Sequence, residues 1–232
     1  CSPTYTSTCS PSLPSLRFGG EGSCGDDANC GHSRLGRRAM KPDGPVAHRA
    51  DYVVEKIEHK HALELVRANH YAGGAANTST ARHGLKRKSD GVVVGATLWM
   101  PPTARAAKAL ALRLLGDAGR HREVLVLSRL VVAEGEPQNA AGILLAASTR
   151  DVWRDKRWAL LVTYADQGYG HRGVIYQATG WVDDGETRST PKWLDTDGKI
   201  VSSFSTKSRI VAEMRALGFT TESSVKYRFF KL

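Results

Sequence analysis

The sequence predicts an α/β protein built on a mixed β-sheet. Two almost uninterrupted aliphatic runs, Val124–Ala133 and Trp158–Ala165, are typical of strands buried on both faces of a sheet. Helical patterns alternate with strands along the chain. A hairpin signal, Ser89-Asp90-Gly91, adds antiparallel pairing, so the sheet contains both kinds of neighbouring strand.

The first half of the element pattern runs from residue 51 to residue 116. It begins with a predicted strand at Asp51–Ile57, followed by a helix over Lys60–His70 that is stopped by two glycines. His83–Arg87 and Val92–Trp99 are the two strands of the predicted hairpin. An Ala- and Leu-rich helix over Thr103–Gly116 has a threonine as its predicted N-cap and a glycine as its stop.

The second half alternates helices with further strands. A helix is predicted from Asn139 to about Trp153, and a short one follows a glycine-rich turn. An amphipathic helix with Ile210, Val211, Met214 and Leu217 on one face precedes the last strand. The remaining predicted elements are the short helix Val174–Thr179, strands near Trp193 and Ile200, and a closing strand over Val225–Phe229.

The first forty residues differ in composition from the rest. Ser, Gly and Pro supply 16 of them, and such a segment buries too little apolar surface to offset the entropy lost on ordering. We expect residues 1–45 to be a disordered or non-native extension, the working protein to start near Met40, and a globular domain to span 46–232. Deletion of residues 1–39 should leave activity intact. The cysteine spacing favours unpaired thiols over a disulfide or metal module. The cysteines are Cys1, Cys9, Cys24 and Cys30.

Basic residues are in excess, with 33 Lys and Arg against 23 Asp and Glu, a net charge of +10 and a pI of about 9.6. This balance favours a polyanionic partner, nucleic acid first. No apolar run is long enough to cross a bilayer, so we expect no membrane span. Two basic clusters are candidates for nucleic-acid contact or for solvated strand faces. They are Arg82, Lys86, Arg87 and Lys88, and Lys226, Arg228 and Lys231, which alternate with Tyr227, Phe229 and Phe230.

Ser128 and Arg129 interrupt the first buried strand. Their side chains point to opposite faces, so at least one must meet a ligand, a carboxylate or water in the interior. An ion pair of Arg129 with Asp166 or Asp151 and a contact with substrate or phosphate remain equal alternatives.

Asp166 ends the second buried strand, beside a glycine-rich turn. An unpaired carboxylate there would be costly, so Asp166 needs a partner. The candidates are a cation, His171, Arg172, or a metal ion shared with His70, which the helical spacing directs inward.

Three motifs resemble the Mom family of bacteriophage DNA-modification proteins, within the GNAT acyltransferase superfamily. They are Leu127-Ser128-Arg129-Leu130, Tyr164-Ala165-Asp166, and the run from Gly170 to Trp181, Gly-His-Arg-Gly-Val-Ile-Tyr-Gln-Ala-Thr-Gly-Trp. The resemblance implies a GNAT-like fold: a mixed, twisted central sheet flanked by helices, with splayed central parallel strands. The usual phosphate-loop motif of GNAT enzymes is missing, and Glu136-Pro137-Gln138-Asn139-Ala140-Ala141-Gly142 stands in its place.

The resemblance implies acetyl-CoA or a related CoA thioester as cofactor. Backbone amides of Val131 and Val132 are expected to bind the pantetheine arm, and Ser148 is a further candidate for cofactor contact. The helix start at Asn139, Ala140 and Ala141 is either a pyrophosphate site or an ordinary helix cap.

The resemblance also assigns candidate chemistry. It places Tyr176 as the general acid for the departing thiolate, with packing in the core as the alternative. Asp166 is a second catalytic candidate, and we expect its carboxylate and the Tyr176 phenol to face each other across the slot between the two diverging strands. His171 is either a base or a bond to the turn backbone. It implies an iron site, to which His70 and Asp166 are the matching positions. Tyr71 and Tyr164 stack a nucleobase or simply pack, and Ser128 and Arg129 are substrate-contact candidates.

The implied function is conversion of adenine in DNA to its N6-carbamoylmethyl derivative, which protects phage DNA from restriction in the cytoplasm of the bacterial host. An enzyme on duplex DNA must extrude the base and bind backbone phosphates. The alternatives are a GNAT N-acetyltransferase acting on a small-molecule or protein amine, and a basic DNA-binding protein on the same scaffold.

Overall fold

The computed structural model describes residues 45–71, 73–198, 200–201 and 211–232. The predictions for residues 1–44, including the four cysteines, and for Ile210 lie outside the described residues. In chain order the described elements are β1 (Tyr52–Lys56), α1 (His59–Asn69), β2 (Ala81–Arg87), β3 (Val93–Met100), α2 (Ala104–Leu115), β4 (Val124–Val132), α3 (Ala140–Arg154), β5 (Leu160–Asp166), α4 (Val174–Ala178), β6 (Val182–Glu186), β7 (Thr190–Leu194), α5 (Val211–Ala216), β8 (Thr220–Ser224) and β9 (Lys226–Lys231).

Seven strands form a mixed sheet in the order β1-β2-β3-β4-β5-β9-β6. Only β4 and β5 are parallel neighbours within it, and all other pairs are antiparallel. The predicted fold class, a mixed sheet flanked by helices, is confirmed. A second sheet of β7 and β8 was not predicted.

The central parallel strands separate after a short paired stretch. Pairing between β4 and β5 runs from Val124 opposite Leu160 to Leu127 opposite Thr163. Beyond that point β4 continues to Val132 and pairs only with β3. The predicted splay is therefore present, and it leaves one edge of β4 facing open space.

A β-bulge marks the start of the splayed part of β4. Leu98 of β3 pairs with Arg129, but the next residue, Trp99, pairs with Leu127, so Ser128 is the extra residue. The Ser128 hydroxyl donates to the carbonyl oxygen of Leu98 at 2.9 Å. The bulge turns β4 away from β5 at the residue where their pairing ends.

Helices cover both faces of the sheet. On one face, α1 packs on β3 and β4, and α2 packs on β4 and β5. On the other, α3 and α4 bury Leu145, Val152 and Tyr176 against Leu125 and Leu161. No helix in the described ranges combines the length and apolar character that a bilayer span requires.

Helix α2 ends where its sequence signals predict. The Thr103 hydroxyl accepts a hydrogen bond from the Ala106 amide at 3.4 Å, and Gly116 adopts a left-handed conformation with φ 75°.

Candidate functional site

A cavity of about 1290 Å³ opens where β4 and β5 separate. One wall is the splayed part of β4, and another is the end of β5 with the turn and helix that follow it. The start of α3 and the end of α1 complete the lining. The lining includes Leu127, Ser128, Arg129, Leu130, Val132, Glu136, Asn139, Ala141, Gly142, His70, Tyr71, Tyr164, His171, Arg172, Gly173 and Tyr176.

The start of α3 forms one end of this cavity. Ala141 and Gly142 line it, and their amides lie in the first turn, where a helix has no intrahelical partner for its N–H groups. Asn139 also lines the cavity, but its side chain bonds the backbone of Ala47 and does not cap the helix. Ala140 is fully buried, and its amide donates to Pro137 O at 2.9 Å.

Besides Ala140, two further predicted cofactor residues have side chains that do not reach the cavity. Ser148 is fully buried in α3 and donates to Leu145 O at 3.2 Å, so its prediction as a cofactor contact is wrong. Val131 packs its side chain under α1, and its backbone pairs with Ala96. Val132, by contrast, lines the cavity.

Tyr176 lies in the inner wall of the cavity, on α4. Its ring contacts Phe229 at a centroid distance of 5.2 Å and Trp181 at 6.0 Å. Burial raises the pKa of Tyr176, and a hydrogen bond with Thr163 opposes that rise only in part. The phenol is therefore neutral near pH 7 and carries a transferable proton.

Gly173 fixes the start of α4. It adopts φ 75°, and a Cβ at this position would lie 2.2 Å from the Phe229 ring. Only glycine satisfies both conditions. This close approach seats the first turn of α4 on β9 and so positions Tyr176.

The Asp166 carboxylate is held by cations outside the cavity lining. Its Oδ1 accepts from Lys192 Nζ, from Ser224 Oγ at 3.3 Å and from the Gly168 amide at 3.1 Å. Lys226 Nζ lies 3.6 Å from Oδ2. Burial would raise the pKa of Asp166, but the hydrogen bond and charge of Lys192, with the charge of Lys226, hold it below its usual value. The predicted need for a partner is met by lysines.

Asp166 and Tyr176 lie on opposite faces of the sheet. Along β5, Val162 and Tyr164 face α2, and Asp166 follows in the same alternation. Tyr176 packs with Ala165 on the α3 and α4 face. The prediction that an acid and a phenol form one catalytic pair is therefore wrong.

Tyr71 belongs to a stack of rings at the edge of the cavity. Its ring stacks on Tyr169 at 3.8 Å and lies 4.2 Å from the His70 ring. Lys192 Nζ lies 4.4 Å from the Tyr169 centroid. Tyr71 thus has ring neighbours in this structure and remains 42% exposed.

His70, His171 and Arg129 surround this edge of the cavity. Burial, and then the charges of Arg129 and His171, lower the pKa of His70 to about 4, so its imidazole is neutral near pH 7. The His171 side chain is exposed, while its backbone amide donates to Asp166 O at 3.2 Å. Arg129 donates to the carbonyl oxygens of Gly74 at 3.1 Å and Ser128 at 2.6 Å.

The predicted ion pairs of Arg129 are not formed. Asp166 is bound by lysines, and Asp151 lies 2.8 Å from His83 Nε2 and 3.8 Å from Lys56.

Tyr164 is half-buried, packs on the α2 face and interacts with Arg228, so its packing alternative is favoured.

The iron site implied by the resemblance requires His70 and Asp166 as ligands. Lysine contacts occupy the Asp166 carboxylate, as described above. In the part of the chain that the structure describes, no group of three or more His, Cys, Asp or Glu side chains converges to bind a metal ion. The described residues in this arrangement do not fit an iron centre.

Both predicted basic clusters form mainly intramolecular contacts. Lys86 pairs with Glu55 and Arg87 with Asp90 and Glu136. In the second cluster, Lys226 contacts Asp166, Arg228 binds Asp184, and Lys231 donates to Thr179 O. These contacts favour the alternative of strand-face charges over dedicated DNA contacts.

Three residues at the site were missed in the sequence. Thr163 lowers the pKa of Tyr176 against the effect of burial, Tyr169 stacks on Tyr71, and Lys192 binds Asp166. Thr163 is a polar residue in an otherwise aliphatic run, a signal like that of Ser128 and Arg129. Lys192 lies on β7, where the sequence predicted a strand near Trp193, but the pairing of β7 with β8 into a second sheet was not predicted.

The fold and cavity define a mixed α/β protein with a ligand-sized slot between splayed parallel strands. The model of the Mom protein family matches residues 51–230. The chain belongs to the Mom protein family, as the motifs predicted.

Solved structures with similar folds include acetyltransferases. A GNAT family acetyltransferase from Elizabethkingia anophelis with acetyl-CoA bound is 12% identical, with a TM-score of 0.45 over 78% of this chain and 97% of that one. A spermidine N-acetyltransferase from Vibrio cholerae is 8% identical, with a TM-score of 0.47 over 79% and 94%. No curated protein sequence matches the chain.

Proposed function

We propose that this protein is an acyltransferase-like enzyme that binds a CoA thioester between β4 and β5. The observation that carries the proposal is the neutral Tyr176 phenol in the wall of a cavity bounded by unpaired β4 backbone. Open strand backbone suits the amides of a pantetheine arm. The free amides at the start of α3 suit its pyrophosphate.

Tyr176 supplies the proton in this proposal. When CoA is displaced from a thioester, the carbon–sulfur bond breaks with its electron pair on sulfur. A phenol proton transferred to that sulfur neutralises the departing thiolate, and a well-placed general acid of this kind contributes about 10²- to 10⁴-fold in rate. The rings of Trp181 and Phe229 pack against the Tyr176 ring and hold it in the cavity wall.

The acceptor in the proposal is adenine N6 in DNA, and the family product is its carbamoylmethyl derivative, which protects phage DNA from restriction. Acyl transfer from the thioester would form an N–C(=O) bond at N6, whereas this product has an N–CH2 bond and an amide nitrogen. A nitrogen-containing co-substrate must therefore supply both in addition to the thioester step. Membership of the Mom family and the net charge of +10 support this acceptor. His171 and Arg172, both exposed on the cavity lining, are in place to meet a backbone phosphate near an extruded base.

Mass spectrometry of nucleosides tests the acceptor and the product together. DNA from bacteria that express the full chain should contain N6-carbamoylmethyladenine, and DNA from cells expressing Tyr176→Phe should contain far less. Carbamoylmethylation adds a nitrogen atom that acetylation does not, so the two products are distinguished by composition.

The matched control is Tyr227→Phe, which removes a phenol from β9, whose residues are absent from the cavity lining. It should modify DNA as well as the unaltered chain does. Unmodified adenine in cells that contain folded protein would refute DNA as the acceptor. Full modification by Tyr176→Phe would refute the role of the phenol.

A further inference from the structure

The loop between β4 and α3 is held by a buried carboxylate. Both oxygens of Glu136 are engaged: Oε2 accepts from the Tyr52 hydroxyl at 2.7 Å and Oε1 from Arg87 Nη1 at 2.5 Å. The Glu136 side chain is only 6% exposed. Tyr52 and Arg87 belong to β1 and β2, so Glu136 ties the loop to the outer strands of the sheet.

A second tether holds the end of the same loop. Asn139 Oδ1 accepts from the Ala47 amide at 2.7 Å, and Asn139 Nδ2 donates to the Ala47 carbonyl oxygen at 2.8 Å. The Asn139 side chain therefore pairs with both the N–H and the C=O of Ala47, in the segment before β1, as the backbone of a neighbouring strand would. Asparagine commonly caps a helix from this position, but this side chain is directed to the chain beside it.

The tethered loop lines the cavity next to the free amides of α3. Gly135, Glu136 and Asn139 all contribute to the lining, and Gly135 has φ 88°. The sequence lacks the glycine motif that shapes the phosphate loop of GNAT enzymes. Without that motif and without these two tethers, the loop would have to be ordered by its ligand, and this ordering would reduce affinity.

We infer that Glu136 and Asn139 are positioning residues that hold the β4–α3 loop ready to receive the pyrophosphate of CoA. The inference rests on the proposed function, because it takes CoA as the ligand. Neither residue needs to touch the cofactor. Each acts by removing the conformational freedom that binding would otherwise have to remove.

Because Glu136 is negatively charged, Arg87 is also needed to hold the β4–α3 loop in a form that can accept a pyrophosphate. A carboxylate beside a pyrophosphate repels it unless a cation balances the charge. Arg87 supplies that cation and is itself held by Asp90, whose Oδ2 accepts from Nη2 at 2.6 Å. Loss of Arg87 leaves the Glu136 charge in place without its cation, so Arg87→Gln should weaken CoA binding more than Glu136→Gln does.

Isothermal titration calorimetry with acetyl-CoA on the full chain tests the inference. Glu136→Ala and Asn139→Ala should each raise Kd about tenfold, with a binding stoichiometry near that of the unaltered protein. Arg87→Gln should raise Kd further, and Arg87→Gln with Glu136→Gln should return toward the value of Glu136→Gln alone. The matched control is Glu55→Ala. Glu55 lies on β1, its carboxylate is 3.3 Å from Lys86 Nζ, and it is absent from the cavity lining. It should leave Kd unchanged.

The stoichiometry separates positioning from folding. If the Kd of Glu136→Ala and of Asn139→Ala stays within twofold of the unaltered protein, the inference is overturned. This also holds if the binding stoichiometry falls at unchanged Kd, because a lower stoichiometry means that a fraction of the variant is misfolded. Binding of acetyl-CoA by the unaltered chain with unchanged variants leaves the proposed function standing. Absence of acetyl-CoA binding by the unaltered chain refutes the CoA thioester and the inference with it.

Discussion

At the scale of single residues, removing the negative charge of Asp166 should destabilise the fold. Asp166→Asn leaves Lys192, whose side chain is 13% exposed, without its main counter-charge. Removing one partner of a buried ion pair costs about 3 to 5 kcal/mol. The expected result is a lower free energy of unfolding in urea at pH 7. Because the folded pKa is depressed, this contribution is present above the unfolded pKa of Asp166 and is lost as pH falls through the folded pKa.

The double variant Asp166→Asn with Lys192→Met separates stability from catalysis. It removes both charges, so it should recover much of the lost stability. A stable double variant that still modifies adenine would establish Asp166 as structural. A double variant that is stable but inactive would contradict a purely structural role for Asp166 and would favour a catalytic role for its carboxylate.

The chemistry of single residues was predicted better than their partners. The end of a buried strand indicated that Asp166 must be paired, and it is. Its partner Lys192 lies on a separate ribbon, and contacts between distant segments leave no local pattern in the sequence. The place of Tyr176 followed from the family motif, whereas the influence of Thr163 on its pKa required the geometry of β5.

At the scale of the element, helix α4 depends on Gly173. Gly173→Ala would place a Cβ 2.2 Å from the Phe229 ring at φ 75°. The left-handed backbone alone costs about 1 to 2 kcal/mol for a residue other than glycine, and the overlap adds to that cost. We expect a lower Tm, and an activity loss greater than the loss of folded protein, because α4 carries Tyr176.

Gly170→Ala is the matched control for this element. Gly170 has φ 74°, and a Cβ there meets no atom within 4 Å. The variant therefore carries the backbone strain without the overlap. Equal decreases in Tm for the two alanine variants would contradict the close contact of Gly173 with β9.

The elements themselves were predictable where burial was strong. β4 and β5 are aliphatic and lie at the centre of the sheet, and Ser128-Arg129 marked the point where β4 bulges. β6, with the sequence Val-Asp-Asp-Gly-Glu, is an edge strand with largely exposed side chains and no alternation to detect. Its pairing with β9 specifies it, and β9 lies far along the chain.

At the scale of the whole molecule, net charge overstates the basic surface available to a partner. The lysines and arginines of β9 are engaged with Asp166, Asp184 and the Thr179 carbonyl oxygen. The excess of 10 positive charges must therefore act through residues elsewhere. Composition predicted a polyanionic partner, but only the fold distinguishes paired cations from available ones.

Arg172 is the cation whose position best suits a DNA phosphate. It is exposed, lines the cavity, and has no acidic partner among the described residues. Arg172→Gln should weaken binding to duplex DNA and reduce the slope of log affinity against log salt by about 1. Fluorescence anisotropy across a series of KCl concentrations measures both. Arg122 is also exposed, but it lies two residues before β4, at the end of that strand away from the cavity, so Arg122→Gln should change neither. Equal effects of the two substitutions would mean that DNA binds the protein without reference to the cavity, and the proposed acceptor would lose its structural support.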